Sequence, residues 1–400
     1  MKIKAWIVNL LVLALLLHAG QTTAWEQIRC TTPINEGKKK HWADSVYKPV
    51  LDPATIPEGS PQYFAVLEAI DRMNRNPSQF RYVFGGIDNG DGIAVNNGES
   101  EISMKDLGEG FSKTSAIEQS NSDYSPTCTA TESDIIINTH YRMARPPADT
   151  NKLTYNNQKS QLFAYGGSYA NFVSTVMHEL GHSAGLQHEG DVLNLMGGNN
   201  LLIANGDRVE PYIGEDAASG LIALFGISAS AQEDVSVSHW RYGDKLVLKD
   251  GSVFSLHHRT RLFDAKNIEL TMACPYVNPD LNGALITACP EPVYRVNKGQ
   301  VVNLELSYEN AGKTSSIAVV ASYYLSTDNK IDETDTLLKS SRFSIKRDSK
   351  PSTISTKLII PKTVVSGNHY WLGCHVRPSR GELKESNENN NQTYVEIKIN

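Results

Sequence analysis

A segment of 23 residues, VMHELGHSAGLQHEGDVLNLMGG from Val176 to Gly198, restricts the possible folds more than any other part of the chain. His178 and His182 are four residues apart, so a helix places both imidazoles on one face, one turn apart. Gly185 tolerates a positive φ and predicts that the helix ends there in a turn. Such a turn would bring His188 back toward the other two histidines. The segment therefore predicts a helix followed by a loop that returns to it.

Three histidines in this arrangement are typical of a zinc site. Zinc takes imidazole nitrogens in tetrahedral geometry, and a catalytic site leaves one position open for water. We expect His178, His182 and His188 to hold one Zn2+ ion. Glu179 follows His178 directly and points off the ligand axis, where a carboxylate can take a proton from a zinc-bound water. A lone histidine on a helix is usually a surface or core residue, but the full pattern rarely arises by chance.

The first residues of the chain predict export. Lys2 and Lys4 precede an apolar run from Ala5 to Leu17, and small residues follow it from Thr22 to Ala24. This pattern is typical of a signal peptide, which we assign to residues 1–24, and the run is too short for a membrane span. We therefore expect a secreted, extracellular protein without membrane insertion.

The charge of the chain argues against one class of partner. The formal net charge is −6, and removal of Lys2 and Lys4 with the signal peptide takes it to −8. An acidic chain is a poor ligand for nucleic acid or for an anionic membrane. The run from Lys38 to Lys40 is interpreted as a solvated loop. We expect a monomer whose partner is a protein or peptide substrate.

The exported chain contains five cysteines. Export permits disulfides, and an odd count leaves at least one thiol over unless it pairs between chains. We predict a disulfide between Cys30 and Cys128 and a second one between Cys274 and Cys289. Cys374 is then predicted to be buried and free.

The apolar periodicity of residues 25–227 predicts a mixed α/β (α+β) domain. The run PQYFAVLEAIDRMN predicts a helix with Tyr63, Val66, Leu67, Ile70 and Met73 on one face, and FRYVFGG and DIIINTHY predict strands. The quoted histidine segment follows, with Ser168 as a candidate helix cap. The run IGEDAASGLIALFG then predicts a second amphipathic helix.

Residues 291–400 follow a different pattern. Alternating runs such as VVNLELSYENAG and SIAVVASYYLSTDN are separated by Asn, Gly, Asp and Pro, which is typical of an all-β antiparallel sandwich. The Ser- and Ala-rich run ISASAQEDVSVSH marks a boundary after residue 227. Residues 228–290 are assigned to a linker or β connector, with membership of the second domain as the alternative.

The pattern HELGHSAGLQH resembles the metzincin metalloproteases. Met196, eight residues after His188, resembles their Met-turn, and this short spacing is most similar to the matrixin branch. The run IGEDAASGLIALFG is similar to the matrixin C-terminal helix, with Glu215 and Asp216 at the acidic pair that braces the Met-turn. The resemblance covers roughly residues 40–227 and implies a zinc protease domain with a mixed sheet and an active-site helix.

The same resemblance implies a substrate strand. DIIINTHY is similar to the edge strand that pairs with an extended substrate, which assigns Ile136, Asn138 and His140 to substrate binding. Two positions depart from the family pattern: Glu189 stands where matrixins usually have serine, and Gly198 stands where astacins and serralysins have a tyrosine ligand. The histidine-rich loop that holds a second zinc in animal matrixins has no counterpart, so we expect one zinc ion.

Cys30 and the acidic loops have alternative interpretations. The run IRCTTP is similar to a cysteine-switch segment, in which a thiolate occupies the open zinc position, but too few residues precede the first predicted strand for a folded pro-domain. The run DNGDG from Asp88 to Gly92 lacks the full spacing of a Ca2+ loop. Asp328, Asp332 and Asp335 are interpreted as a solvated loop. Ca2+ therefore remains an unsupported alternative at both places.

The C-terminal runs YYLSTDNKIDETDTLL, IPKTVVSGNHYWLGCHVRP and ESNENNNQTYVEIKI resemble the CARDB type of bacterial β-sandwich module. The resemblance covers about residues 291–400, and its most specific feature is the Asn-rich run before the last strand. It implies a role in adhesion or substrate tethering.

Two functions of different classes follow. The first is a secreted zinc metalloendopeptidase, in which His178, His182 and His188 bind zinc, Glu179 is the general base, and Met196 with Gly185 and Asp216 supports the site. The alternative is an exported adhesin or binding protein whose metal site is structural or vestigial. Glu179 argues against the alternative, because a purely structural site has no need of that carboxylate. A hydrolase that acts on a non-protein amide is a third, weaker hypothesis.

Overall fold

A computed structural model gives the structure of the protein and describes residues 25–89, 93–94, 96–111, 114–140, 171–190, 194–197, 202–206, 208–247, 253–274, 292–348, 350–381 and 383–400. The predicted signal peptide, Ser168, Gly198 and Cys289 lie outside these residues. In the described part of the chain most of the regular structure is β-sheet, together with three α-helices.

The N-terminal domain contains all three helices and eleven of the strands. The helices are α1 (Pro61–Met73), α2 (Phe172–Ala184) and α3 (Gly214–Phe225). The strands are β1 (His41–Trp42), β2 (Val46–Tyr47), β3 (Pro49–Leu51), β4 (Arg81–Tyr82), β5 (Gly86–Ile87), β6 (Ser100–Lys105), β7 (Ala116–Ser120), β8 (Thr129–Ala130), β9 (Ser133–Asn138), β10 (Leu202–Asn205) and β11 (Arg208–Pro211). Two 3₁₀ helices cover Glu109–Phe111 and Asn121–Tyr124.

A five-stranded mixed sheet is the main sheet of this domain. Its strand order is β5-β3-β6-β9-β7, in which the first four strands are parallel and β7 is antiparallel to β9. One face of the sheet packs on the helices through Ile102, Ile135 and Ile137, which belong to the same core as Val176 and Leu180 of α2. The predicted mixed sheet with a helix against it is present.

The position of β9 corrects the predicted substrate strand. Ile136 pairs with Ser103 of β6 on one side and with Ile117 of β7 on the other, so β9 has no free edge. The run SDIIIN is buried throughout, as expected for a strand with neighbours on both sides. The prediction that Ile136, Asn138 and His140 lie on an edge strand is therefore wrong.

Helix α1 packs on α2 and forms much of the core. Ser60 caps α1 by accepting a hydrogen bond from the Tyr63 N–H, and Pro61 occupies its first turn, where the missing N–H has no cost. On the predicted face Val66, Ile70 and Met73 are buried, while Tyr63 and Leu67 are only half-buried. The buried stripe follows the helical period, which is why the sequence predicted this element well.

The C-terminal domain is a sandwich of two sheets. Its strands are β12 (Val235–Ser238), β13 (Trp240–Val247), β14 (Val253–Arg259), β15 (Leu262–Asp264), β16 (Met272–Cys274), β17 (Val293–Val296), β18 (Val301–Asn310), β19 (Ser316–Ser326), β20 (Thr336–Lys346), β21 (Ser352–Ile359), β22 (His369–Pro378) and β23 (Gln392–Ile399). One sheet has the order β16-β17-β23-β22-β19-β20, and the other consists of β12, β15, β18 and β21, while β13 and β14 form a separate two-stranded sheet. Inward side chains such as Leu306, Val319 and Cys374 fill the space between the first two sheets.

The predicted connector belongs largely to this sandwich. Strands β12 and β15 both pair with β18, and β16 pairs with β17, although all three lie within residues 228–290. The Asn-rich run holds β12 in place, since Asp234 accepts hydrogen bonds from the Asn390 amide (2.8 Å) and the Ser386 hydroxyl (2.9 Å). This pairing agrees with the alternative assignment of residues 228–290 to the second domain. These strands are short, and their alternation did not identify them.

The two domains make direct polar contacts. Asn205, at the end of β10, accepts from the Ile331 N–H (2.6 Å) and donates to the Ile331 carbonyl (3.1 Å). The Glu215 carboxylate at the start of α3 accepts from the N–H groups of Asn310 (2.9 Å) and Asp348 (2.7 Å). The sandwich therefore holds both the β10–β11 hairpin and the first turn of α3.

No helix in the described ranges is long and apolar enough to span a lipid bilayer.

Candidate metal centre

Helix α2 carries the first two histidines and has defined ends. It begins after Asn171, whose side chain accepts from the Ser174 N–H (2.8 Å); the cap is thus Asn171 rather than Ser168. It ends at Gly185, which has a φ of +104°. The Leu186 N–H donates to the Gly181 carbonyl (3.0 Å), a pattern that closes a helix by a left-handed residue. Gly185 therefore makes the predicted turn.

The chain after this turn is braced by the N-terminal segment. The Ile28 N–H donates to the Gly185 carbonyl, and the Gln187 N–H donates to the Glu26 carbonyl, each at 2.9 Å. The predicted Cys30–Cys128 disulfide is present and ties this segment to the start of β8. Because its sulfur is bonded to Cys128, Cys30 offers no thiolate to a metal. The disulfide interpretation of Cys30 is confirmed.

The prediction for Cys374 is confirmed. Cys374 is free and buried in the core of the sandwich. The predicted Cys274–Cys289 disulfide involves Cys289, which lies outside the described residues.

The turn brings three histidines together. The ring centroids of His178 and His182 are 4.8 Å apart. The ring centroid of His188 lies 5.3 Å from that of His178 and 4.6 Å from that of His182. One ligand nitrogen from each ring lies within 4.8 Å of the other two. In the described part of the chain this is the single cluster of histidine, cysteine and acidic side chains suited to a metal ion.

Hydrogen bonds fix the orientation of two of the rings. The Nδ1 atom of His178 lies 2.9 Å from the Leu195 carbonyl, and the Nδ1 atom of His182 lies 2.7 Å from the Leu186 carbonyl. A carbonyl oxygen only accepts, so each Nδ1 carries the proton and each Nε2 keeps its lone pair. This is the arrangement that metal-binding histidines use in proteins.

Burial favours the neutral form of these imidazoles. It lowers the pKa of His178, and it lowers the pKa of His182 still further, with a smaller contribution from His178 and His188. Metal ions bind the deprotonated ring, so neutral histidines at neutral pH suit a metal site. His178 and His188 remain half-buried, which leaves the cluster accessible from one side.

Glu179 lies next to the cluster but is not one of its members. Its residue is buried, with 4% of its surface exposed. The pKa of the Glu179 carboxyl is raised to about 8, chiefly by burial and to a smaller extent by the negative charge of Glu118. A carboxyl group whose pKa lies near neutrality can exchange a proton with a reacting group, as general acid–base chemistry requires.

Met196 packs against the helix that carries His178 and His182. Its side chain is buried and packs against Gly181, where an added Cβ would lie 2.5 Å from the Met196 sulfur. Only glycine at position 181 therefore leaves room for this methionine. The Met196 carbonyl also accepts from the Glu189 N–H (3.3 Å), which ties the methionine turn to the residue after His188.

Strand β7 is the edge strand beside the cluster. It ends the five-stranded sheet, and no described strand pairs with its outer side. It packs against α2, and its Glu118 forms an ion pair with Lys40 at 2.8 Å. Lys40 also donates to the carbonyl of His182 (3.0 Å). The sequence missed this strand because AIEQS shows no regular alternation of apolar residues.

The burial of Lys40 contradicts the prediction that the run from Lys38 to Lys40 is a solvated loop. The residue is completely buried, whereas Lys38 and Lys39 are exposed. Its ammonium group joins the edge strand to the end of α2. No feature of the sequence KKK distinguishes Lys40 from Lys38 and Lys39.

The acidic pair of α3 is not arranged as predicted. Glu215 binds backbone N–H groups of the sandwich and not the methionine turn. Both carboxylate oxygens of Asp216 are buried without a hydrogen-bond partner. Burial raises the pKa of Asp216 well above its usual value, and the nearby Glu189 raises it further. Asp216 is thus close to Glu189, and its carboxylate forms no hydrogen bond with any described residue.

The remaining predicted substrate residues have structural roles. The Asn138 amide donates to the carbonyls of Phe111 (2.9 Å) and Thr114 (2.8 Å), which holds the segment before β7. His140 lies after the end of β9, with its Nδ1 3.2 Å from Asp106 and its Nε2 3.5 Å from Glu109.

The acidic loops are turns in which carboxylates accept backbone N–H groups. Asp328 accepts from Lys330 (2.9 Å), and Asp335 accepts from the N–H of Asp332 (2.9 Å). Part of the run from Asp88 to Gly92 lies outside the described residues. The described carboxylates thus stabilise their own turns.

The chain matches no protein-family model and no curated protein sequence. Among solved structures it is similar to the CARDB domain of a protein from Pyrococcus furiosus, in a crystal structure with di-metal ions, at 17% identity and a TM-score of 0.21 over 26% of this chain and 79% of that one. A solution NMR structure of that CARDB domain gives 18% identity and a TM-score of 0.20 over 26% and 84%. These similarities say nothing of the chemistry at the histidines.

Proposed function

We propose that the protein is a secreted zinc endopeptidase of the metzincin type, with Glu179 as its general base. The observation that carries this proposal is the histidine cluster itself. Two of its rings are held by carbonyl oxygens with Nε2 free to bind, and a buried carboxylate lies beside them. This donor set of three neutral imidazoles suits Zn2+, which prefers nitrogen ligands and leaves a fourth position open.

The residues of this chain have separate roles in the proposed reaction. His178, His182 and His188 hold the ion, which when bound polarises a carbonyl group and acidifies water. Glu179 accepts the proton of the attacking water and delivers it to the leaving nitrogen of the cleaved amide. Met196 fills the space below the helix and keeps the loop that carries His188 in contact with it.

The free edge of β7 suits an extended peptide. A substrate that adds to this edge makes backbone hydrogen bonds regardless of its sequence, next to the helix that holds His178 and His182. Residues 115 and 121 hydrogen-bond toward β9, so in the antiparallel ladder the N–H and C=O groups of Ala116 and Glu118 point away from it and would replace the contacts first assigned to β9. The proposed substrate is therefore a protein segment in extended conformation.

Export of the protein is supported by two observations. A disulfide joins Cys30 to Cys128, and disulfides persist in oxidising, extracellular environments. The sequence of residues 1–24 has the composition of a signal peptide. We propose that the sandwich accompanies the protease domain outside the cell.

The test is cleavage of denatured casein by purified residues 25–400 loaded with zinc. We expect Glu179→Gln to lower kcat/KM by roughly 10² to 10⁴-fold, the usual contribution of a general base, with zinc content unchanged. Glu36→Gln, which alters an exposed glutamate, is the matched control and should cleave as the wild type does. A chelator should abolish cleavage, and added zinc should restore it.

Two results would contradict the proposal. Wild-type protein that holds one zinc ion and cleaves neither casein nor short peptides would favour the alternative, a binding protein with a structural metal site. Full activity of Glu179→Gln would exclude the assigned general base. Loss of zinc from His188→Ala alone would support only the ligand assignment.

A further inference from the structure

The exposed edge of the sandwich has an unusual charge. Residues 336–362 contain seven lysines and arginines but one acid, Asp348, in a chain whose net charge is −6. Six of the seven cations are exposed, and we call them the basic edge: Lys339, Arg342, Lys346, Lys350, Lys357 and Lys362. The positive charge is therefore concentrated on one part of an otherwise acidic molecule.

The basic edge lies where both sheets of the sandwich end. Strand β20 is the last strand of the six-stranded sheet, and β21 is an outer strand of the other sheet. Lys339 reaches from β20 to the Lys357 carbonyl of β21 at 3.4 Å, so the two strands are neighbours. Arg342 and Lys346 alternate with the serines of β20 on its exposed face. The cations of β20 thus lie between Lys339 and Lys346, over about 23 Å of the strand.

None of the six cations forms an ion pair with any residue in the described part of the chain. Arg347, the seventh cation of residues 336–362, is half-buried and donates a hydrogen bond to the Lys313 carbonyl. The uncompensated charges repel one another, so an anion placed along them gains attraction from several cations at once.

Protection of the strand edge accounts for only part of this pattern. Edge strands commonly carry a lysine that prevents pairing with another chain. Here the cations continue beyond β20, onto the exposed side of β21 at Lys357 and past its end at Lys362. Lys350 marks the other end, where its N–H group contacts Glu215 of the N-terminal domain at 3.3 Å. Such an extended distribution of cations suits a long ligand better than it suits protection of a single strand edge.

We propose that the basic edge binds a linear anionic polysaccharide. The exposed side chains between the cations are mostly hydroxyls, among them Ser340, Ser344, Ser355 and Thr353, which hydrogen-bond to sugar hydroxyl and sulfate or carboxylate groups. The one aromatic residue of β20 and β21, Phe343, packs on the buried Tyr308. Without exposed aromatic rings the surface lacks the stacking contacts that single-stranded nucleic acids use.

The test is the affinity of purified residues 25–400 for fluorescent heparin, a sulfated polysaccharide, over a series of NaCl concentrations. We expect binding that weakens with salt. The double substitution Arg342→Ser/Lys346→Ser should weaken it and lower the slope of log affinity against log salt by about one to two, as two ionic contacts are lost. Serine already alternates along this face of β20, so the double variant should melt at the wild-type temperature.

A matched control distinguishes binding at the basic edge from a general effect of the net charge of the protein. Lys266→Ser/Lys384→Ser removes two exposed lysines elsewhere on the sandwich and should bind heparin as the wild type does. Equal loss in both double variants, or no binding by the wild type, would overturn the proposal. If oligo-dT of the same charge binds as tightly as heparin or more tightly, the polysaccharide proposal is overturned and a nucleic acid becomes the favoured ligand. Because binding is measured without catalysis, the result is independent of the proposed protease activity.

Discussion

Lys40 shows how a single buried charge links the edge strand β7 to helix α2, which carries His178 and His182. Its ammonium group contacts Glu118 of β7 and the His182 carbonyl at the end of α2. Both side chains are shielded from water, so the ion pair is screened little by salt. The same Glu118 charge contributes to the raised pKa of Glu179. Lys40 therefore affects both the stability and the electrostatics of the site.

We expect Lys40→Met to destabilise the protein by about 3–5 kcal/mol, because it leaves Glu118 buried without its partner. Chemical denaturation followed by fluorescence would measure the change. Lys39→Met alters the exposed neighbour and should have little effect. The double variant Lys40→Met/Glu118→Gln should recover part of the loss, and failure to do so would argue against the ion pair as the cause.

Asp134 predicts a pH dependence of stability. The pKa of its carboxyl is raised to about 7, chiefly by burial and to a smaller extent by the negative charge of Glu132. The folded state therefore holds a proton that the unfolded state has released between about pH 4 and 7, and stability should fall as the pH rises through this range. One such proton contributes a slope of at most about 1.4 kcal/mol per pH unit.

The variant Asp134→Asn should lack this contribution. Its amide oxygen can still accept the Glu101 N–H that Asp134 Oδ1 accepts at 3.0 Å. Free energies of unfolding measured from pH 4 to pH 8 should therefore decline less steeply for this variant than for the wild type. The exposed control Glu36→Gln should follow the wild-type curve. Parallel curves for Asp134→Asn and wild type would show that Asp134 titrates normally.

The turn after α2 decides where the third histidine lies. Gly185 ends the helix with a positive φ, and the N-terminal segment and Lys40 pack against it. An added Cβ would lie 3.3 Å from the Lys40 carbonyl, so the position is restricted by contact as well as by φ. The loop that carries His188 starts from this turn.

We expect Gly185→Ala to lower the free energy of unfolding by about 1–2 kcal/mol from the left-handed conformation alone. It should also weaken zinc binding, because the loop with His188 has to shift. Gly59→Ala is a matched control: Gly59 has a φ of +76° but no atoms within 4 Å of an added Cβ. Both variants should lose stability, and only Gly185→Ala should lose zinc affinity in a competition titration with a chelator.

The two domains are joined by contacts that involve the chain after the methionine turn. The β10–β11 hairpin is held on the sandwich through Asn205 and through the Gly206 N–H, which donates to the Asn329 carbonyl at 2.7 Å. Its other strand is held at the end of α1, where Glu210 forms ion pairs with Arg72 of the helix and with Arg75 just after it (3.2 Å). The hairpin therefore connects the sandwich to the domain that carries the histidines.

We expect the two domains to unfold together in the wild type. Asn205→Ala removes both hydrogen bonds to Ile331 and should cost about 1–3 kcal/mol, since the Ile331 N–H loses its partner. In calorimetry the single transition should broaden or split. Asn303→Ala, which removes comparable hydrogen bonds within the sandwich, should lower the melting temperature without splitting the transition. Two separate transitions in the wild type would contradict this coupling.

Local sequence patterns predicted the elements whose residues interact within a few positions of one another. The spacing of His178, His182, Gly185 and His188 follows from helix geometry and one left-handed residue, and the structure brings the three rings together. The periodicity of α1 and the alternation of the sandwich strands were readable for the same reason. The pairing of Cys30 with Cys128 was also anticipated.

Tertiary packing decided what depends on partners distant in the chain. The sequence of β9 is equally compatible with an edge strand and with a central strand. Only the pairing with β6 and β7 shows that β9 is central. Lys40 is indistinguishable from Lys39 by sequence, yet one is buried and the other exposed. Strand pairing and burial of a charge depend on residues outside the local sequence, such as Ser103 and Ile117 for Ile136, or Glu118, 78 positions away, for Lys40. No local period encodes these contacts.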